Sequence, residues 1–199
     1  DRNPFVDEEV ADFGAKLLVF GVGDGVPVAV AEVGVLGLGA GLGRLLLTSR
    51  FGAGGTVPHA ESDILGAASF DIFNILCLSG DHQIFGDNPK GQNVFDLDSM
   101  QLIQTVRHMR DEGKFLGGDP IVRPPQMFVG AAANPFADPF EIRVPRLAKK
   151  IAAGVEFIQT QCIFNVEKFQ LYMKLAGDRG LTENAFILAG VTPLKSVGM

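Results

Sequence analysis

Apolar positions along the chain follow two periods, one typical of helices and one typical of strands. Spacings of three and four residues predict helices at residues 7–20, 60–70, 98–113, 138–154 and 166–176. Short apolar runs bounded by glycine, proline or polar residues predict strands at residues 26–30, 45–48, 73–78, 126–133, 157–163 and 185–191. Helices and strands therefore alternate along the chain.

This alternation, with connections long enough for parallel crossovers, predicts an α/β fold. Both an open doubly wound sheet and a closed (β/α) barrel fit the pattern. The six predicted strands are two short of a barrel, and a barrel typically needs about 250 residues. With 199 residues and no sign of a second domain, the chain fits a single-domain barrel whose ends are missing.

Capping residues indicate where two of the helices begin. Asp98 and Gln101 have the spacing of a capping box. In the helix predicted at residues 138–154, Asp138 is expected to cap the N-terminus. Pro145 falls inside that predicted helix, where a proline should cost about 3 kcal/mol or produce a kink.

The stretch 31–55 is rich in glycine, which disfavours a helix and predicts a loop-rich segment. Its glycines suggest a nucleotide-binding loop, but residues 39–44 read GAGLGR and not G-x-G-x-x-G. No G-K-S/T follows either. We therefore expect neither a dinucleotide site nor a P-loop in this stretch.

The composition predicts a globular protein, because 47% of the residues are hydrophobic and 20% are charged. The net charge of −6 gives no general reason to expect nucleic acid or an anionic membrane as partner. No run is long and apolar enough to predict a membrane span, and no signal peptide is visible. Cys77 and Cys162 each lie in an apolar run, which predicts core thiols in a reducing compartment. The sequence has no CxxC pair and no His/Cys cluster, so no metal site is expected.

Polar residues gather where predicted strands end, and parallel α/β folds bind ligands at that edge. These positions hold Thr48, Asp81, Asn134, Gln161 and Thr192. Four of the five are neutral hydrogen-bonding groups, which suit a polar heterocycle better than hydrolysis. A serine-nucleophile elbow, G-x-S-x-G, is absent.

Each candidate also has a simpler interpretation. Asp81 suits either a ligand ring N–H or the cap of a turn or helix. Gln161 fits a buried amide satisfied by the backbone. Lys149 and Lys150 suit either a phosphate or a solvated helix end favoured by the dipole.

Four segments together resemble the methylenetetrahydrofolate reductase family. They are LCLSGDHQIFGDNP at 76–89, VFDLDSMQLI at 94–103, FVGAAANPFADPFEIRVPRLAKKIAAGVEFIQTQCIFNV at 128–166 and ILAGVTPLKS at 187–196. The resemblance extends from about Ser62 to the end of the sequence, and in character the sequence resembles the reductases of anaerobic, acetogen-type bacteria. Residues 46–50, LLTSR, match the family's Thr-Cys-Arg strand end only in part.

The resemblance implies a (β/α)8 TIM barrel that binds a flavin, FAD or FMN, at its carboxyl face. It implies flavin-dependent reduction of 5,10-methylenetetrahydrofolate to 5-methyltetrahydrofolate by hydride transfer, in a cytoplasmic enzyme that works as an oligomer or in a complex. The electron donor would be NAD(P)H or an iron–sulfur partner subunit. The alternatives are a pterin-dependent methyltransferase barrel and a non-catalytic scaffold subunit of a redox complex.

The resemblance also assigns residues. Asp81 matches the family's catalytic aspartate near flavin N1 and the pterin, and Gln161 matches the glutamine that holds folate and nicotinamide. The family's general acid is a glutamate on a first strand that the sequence is expected to start just beyond, so no residue takes that role. The implied flavin contacts come from Thr48, Ser79, Gly80, Asp81, Asn134 and Lys150.

Overall fold

The computed structural model describes residues 18–22, 26–32, 45–48, 56–70, 72–79, 90 and 96–191. Within these ranges the strands are β1 Leu18–Val22, β2 Val26–Glu32, β3 Leu45–Thr48, β4 Asn74–Cys77, β5 Phe128–Ala133, β6 Phe157–Cys162 and β7 Phe186–Val191. The α-helices are α1 Val57–Ser69, α2 Ser99–Asp111, α3 Arg143–Ala152 and α4 Val166–Gly177. The fold is α/β, as the sequence predicts.

The chain divides into two compact units, each described by itself. The central unit consists of Gly43–Ala132 and Lys149–Glu156. The terminal unit consists of Asp1–Leu42, Ala133–Ala148 and Phe157–Met199.

In the central unit, β3, β4 and β5 are parallel neighbours in that order. Helix α1 connects β3 to β4, and α2 lies between β4 and β5 in the sequence. The buried faces of the two helices and the strands supply an aliphatic core, which includes Ile64, Ile75, Cys77, Leu102, Ile103, Val106, Met109 and Val129.

In the terminal unit, β1 and β2 form an antiparallel pair, β2 is parallel to β7, and β7 is parallel to β6. Helix α4 connects β6 to β7 and buries one face. That face is formed by Phe169, Tyr172, Met173 and Ala176. The sequence spacing of Phe169, Met173 and Ala176 predicts this face.

The capping box at the start of α2 is confirmed. The Asp98 side chain accepts the N–H groups of Met100 and Gln101, each at 2.8 Å. The Gln101 side chain accepts the N–H of Asp98 at 2.8 Å. Such a cap stabilises a helix by about 1 kcal/mol, which fixes the start of α2 just after the polar segment that follows β4.

The predicted start of the helix at residues 138–154 is wrong. A 3-10 turn occupies Phe140–Ile142, and α3 begins only at Arg143. Asp138 does not cap α3, because it lies five residues before Arg143, the first helical residue. Its carboxylate lies 3.3 Å from the ammonium of Lys168. The later start also removes the expected cost of Pro145, which now lies in the first helical turn, where backbone N–H groups have no partner within the helix.

The helix predicted at residues 7–20 is wrong at its carboxyl end, because residues 18–20 belong to β1. A run of Leu, Val and Phe before Gly-Asp-Gly is a hairpin signal, and pairing with β2 outweighs the helical spacing. This pair is antiparallel, whereas the sequence predicts parallel crossovers throughout. The remainder of that helix, most of the glycine-rich stretch 31–55 and most of the polar loop 82–95 lie outside the described residues, as does Thr192.

Within the described part of the chain, no helix has the length and apolar character needed to cross a membrane. Both cysteines are free, as predicted. Cys77 is fully buried in β4, and Cys162, at the end of β6, is only partly buried.

Candidate functional site

The carboxyl ends of the strands in the central unit are aligned by their pairing. Thr48, the last residue of β3, is the register partner of Leu76 in β4. Cys77, the last residue of β4, is the partner of Ala131 in β5. Thr48 and Ser79, two of the predicted cofactor residues, therefore lie at the edge where parallel α/β folds bind ligands.

Ser79 connects the end of β4 to the start of α2. Its exposed hydroxyl oxygen accepts the backbone N–H of Ser99 at 3.1 Å. The contact brings together the two ends of the segment between β4 and α2. The predicted cofactor residue Gly80 and the predicted catalytic residue Asp81 follow Ser79 directly and lie outside the described residues.

Lys150 brings a positive charge to the same edge of the central unit. It lies in the last turn of α3, and its ammonium donates to the carbonyl of Ala132, near the end of β5, at 2.5 Å. Burial raises the pKa of Cys77 in β4 to about 12, and the charge of Lys150 acts in the opposite direction. The ammonium is therefore close enough to β4 and β5 to affect both.

The Cys77 thiol should be unreactive in the folded protein. With a pKa of about 12, only about one molecule in ten thousand carries a thiolate at pH 8. We expect iodoacetamide at pH 8 to label Cys77 only after urea is added, as read by peptide mass spectrometry. Labelling of Cys77 at equal rates in native and unfolded protein would contradict this burial.

The same pKa shift of Cys77 should make the free energy of unfolding fall as pH rises in the alkaline range. The pKa of the thiol is raised from 9.0 to about 12 on folding, so the protonated thiol favours the folded state fully below pH 9.0. That contribution is lost as pH rises toward 12, because the unfolded chain releases the proton first. A Cys77→Ala variant should show a weaker fall of urea midpoint between pH 9 and pH 10.5.

In the terminal unit, Asn134 starts the loop that follows β5. It is exposed, and its side-chain oxygen accepts the N–H groups of Phe136 at 3.0 Å and Ala137 at 3.2 Å. This Asx turn uses the carbonyl end of the amide. A hydrogen bond from Asn134 to a ligand would therefore come from its NH2 group.

Lys168 holds the same loop, and the sequence gives no signal of this role. Its ammonium donates to the carbonyl of Phe136 at 2.7 Å and lies 3.3 Å from the carboxylate of Asp138. It also lies 5.5 Å from the centre of the Phe140 ring, within the range of a cation–π interaction. A lysine in the first turn of α4 has the pattern of a surface residue, and only the fold brings it to this loop.

Gln161 is exposed near the end of β6, so the interpretation as a buried amide is wrong. Beside Gln161, the register of the β6–β7 pairing shifts. Gln159 pairs with Leu188 and Cys162 pairs with Gly190, so β6 advances by three residues while β7 advances by two. The extra residue in β6 is a β-bulge, and bulges change the direction of side chains beside them.

The structure thus places Thr48, Ser79 and Lys150 in the central unit, and Asn134 and Gln161 in the terminal unit. Each of these five residues lies at or just beyond the carboxyl end of a strand or, for Lys150, contacts that end. Their convergence on one ligand, together with Gly80 and Asp81, stays a prediction.

Comparison with known families gives one match. The family model for methylenetetrahydrofolate reductase matches residues 57–199, more than two thirds of the chain. The comparison with curated proteins gives no match. The matched range includes all four segments on which the resemblance rests and every predicted site residue except Thr48.

Proposed function

Because the chain belongs to the methylenetetrahydrofolate reductase family, whose members are oxidoreductases of folate one-carbon metabolism, we propose that it reduces 5,10-methylenetetrahydrofolate to 5-methyltetrahydrofolate with a flavin as cofactor. The family match over residues 57–199 carries this proposal. We also propose that residues 1–199 form a single flavin- and folate-binding domain that is part of a (β/α)8 barrel, of the acetogen type.

The chain's own residues support flavin binding. The ammonium of Lys150 lies beside the carbonyl of Ala132 at the carboxyl edge, where a cation suits the phosphate of FAD or FMN. Residues 130–133 carry no side chain larger than a methyl group, which would let a flat ring approach the backbone at the end of β5. Thr48, Ser79 and Gly80 would complete the contacts. When bound, the flavin supplies the hydride that converts the methylene group of the substrate into a methyl group.

Asp81 and Gln161 would act on the two rings. The carboxylate of Asp81 would accept a hydrogen bond from the pterin. Its negative charge would also disfavour a negative charge on the reduced flavin ring near N1, and this would raise the tendency of the flavin to donate hydride. Gln161 would orient the pterin through its exposed amide. Asn134 would donate from its NH2 group, since its carbonyl closes the Asx turn.

The role of Asp81 is tested by the Asp81→Asn variant. We expect the oxidation of the bound flavin by methylenetetrahydrofolate to slow by about 100-fold or more, because a single electrostatic group in an active site contributes on this scale. Flavin absorbance in anaerobic stopped flow measures the rate. Asp63→Asn, an exposed aspartate on α1, is the matched control. An unchanged rate in Asp81→Asn would remove Asp81 from the mechanism.

The electron donor and the surroundings of the enzyme are part of the same proposal. We propose that NAD(P)H or an iron–sulfur partner subunit reduces the protein, in a cytoplasmic oligomer or complex. Two free cysteines agree with a reducing compartment. Anaerobic titration with NADH and with NADPH distinguishes the donors, and the mass of the extracted cofactor distinguishes FAD from FMN.

A further inference from the structure

At the bulge in β6, a side-chain hydroxyl accepts the hydrogen bond from β7 that a backbone carbonyl would accept in a regular ladder. Opposite the bulge, the N–H of Gly190 donates to the hydroxyl oxygen of Thr160 at 2.9 Å. The ladder resumes beyond it, where the N–H of Ile163 donates to the carbonyl of Gly190 at 2.9 Å. The Thr160 hydroxyl therefore replaces the strand carbonyl that a regular ladder would offer to Gly190.

The Thr160 hydroxyl also binds the neighbouring residue. It donates to the carbonyl of Gln161 at 3.0 Å, so one oxygen both accepts from β7 and donates within β6. Thr160 is only 4% exposed. A hydroxyl buried to this extent with both roles filled restrains the peptide group of Gln161, because moving it would leave the buried N–H of Gly190 without this partner.

Gly190 makes this close approach possible. A side-chain carbon at position 190 would lie 2.6 Å from the carbonyl oxygen of Thr160 and 3.1 Å from the carbonyl carbon and oxygen of Gln161. These are backbone atoms, so they cannot rotate away as a flexible side chain would. Because Gly190 has no side chain, the backbone of Thr160 and Gln161 can pack directly against β7 at this position.

From this geometry we infer that Thr160 and Gly190 are positioning residues, which hold Gln161 in the direction needed to meet the pterin ring. The inference rests on the proposed function for the identity of the ring. The Thr160–Gly190 contact itself is a property of the terminal unit alone.

The Thr160→Val variant tests the inference, because valine keeps the shape of threonine and removes only the hydroxyl. We expect the amide of Gly190 to exchange hydrogen at least about tenfold faster, as measured by NMR. We expect the KM for methylenetetrahydrofolate to rise about tenfold, the effect of about one hydrogen bond, with flavin content unchanged. Thr160→Ser should restore both values, because serine keeps the hydroxyl.

Two controls separate positioning from general destabilisation. Thr105→Val removes an equally buried hydroxyl that donates to the carbonyl of Gln101 within α2, and it should leave both the KM and the Gly190 exchange rate unchanged. In a Gln161→Ala background, Thr160→Val should cause no further rise in KM, because its effect acts through Gln161.

Each result decides the inference. The inference is overturned if Thr160→Val leaves either the Gly190 exchange rate or the KM unchanged, or if Thr160→Ser does not restore both values. It is also overturned if Thr160→Val raises the KM as much in the Gln161→Ala background as in the wild-type protein. If the wild-type protein does not oxidise its flavin with methylenetetrahydrofolate, the proposed function fails. The exchange rates of Gly190 in the valine and serine variants then decide alone whether Thr160 holds this segment.

Discussion

Replacing Glu156 with alanine should destabilise the central unit by about 3 kcal/mol, because hydrogen bonds to charged groups contribute about 1.5–3 kcal/mol each and their removal leaves buried partners unsatisfied. One carboxylate oxygen of Glu156 accepts the N–H of Val129 and a guanidinium N–H of Arg110, both at 2.8 Å. Val129 is fully buried in β5. The carboxylate therefore joins α2, β5 and the turn that precedes β6.

The electrostatics of Arg110 support this expectation. Burial alone would lower the pKa of Arg110, but hydrogen bonds to Asp111 and Glu156 raise it above its usual value. The same guanidinium donates to the carbonyl of Met127 at 2.5 Å. Without Glu156, Arg110 would keep its charge in a site where only 15% of its side chain meets water.

Urea unfolding measures the loss of stability in Glu156→Ala, and the Glu112→Ala variant serves as the control. The carboxylate of Glu112, the residue that follows α2, lies 3.3 Å from the ring of His108, and 62% of the Glu112 side chain is exposed. Even a fully charged, exposed pair at this spacing contributes only about 0.3–0.5 kcal/mol. Equal losses of stability in the two variants would show that the carboxylate of Glu156 does not hold β5 and α2 together.

Replacing Gly190 with alanine should destabilise the terminal unit by about 2–3 kcal/mol, because overpacking a close contact forces the backbone to shift. The added carbon would lie 2.6 Å from the carbonyl oxygen of Thr160. Gly190 does not adopt a left-handed backbone conformation, so the cost is steric and does not come from its dihedral angles. The shift should separate β6 from β7 at the bulge beside Gln161.

Gly66→Ala is the control, and its expected effect has the opposite sign. Gly66 lies inside α1, and a carbon added there would meet nothing within 4 Å. Alanine should stabilise the helix by about 0.5–1 kcal/mol. Urea midpoints of both variants measure the pair. A Gly190→Ala protein as stable as wild type would show that β6 and β7 are not this close.

Sequence patterns of a few residues predicted the elements that depend on local chemistry. Asp98 and Gln101 predicted the start of α2 because both partners of a capping box lie within one helical turn. Apolar runs predicted β4 to β7 to within about two residues, since a buried parallel strand is a short apolar run between turn residues. The ordered motifs of residues 76–196 were enough to identify the family that the match over 57–199 confirms.

Tertiary contacts decided where local signals had a competitor elsewhere in the chain. Asp138 has the sequence position of a helix cap, but a 3-10 turn intervenes and α3 starts at Arg143, while Lys168, thirty residues later, lies 3.3 Å from the Asp138 carboxylate. Residues 18–20 fit a helix face until β2 pairs with them.

The candidate site shows the same division between local sequence and fold. Its residue types, amides and hydroxyls at strand ends, are visible in the sequence because each follows an apolar run. The hydrogen bond from the N–H of Gly190 to the hydroxyl of Thr160, beside Gln161, is not visible there, since it joins two strands. Local sequence thus determined which groups reach the carboxyl ends, and contacts between distant segments decided their surroundings, because a polar side chain bonds to whichever partner the fold brings within reach.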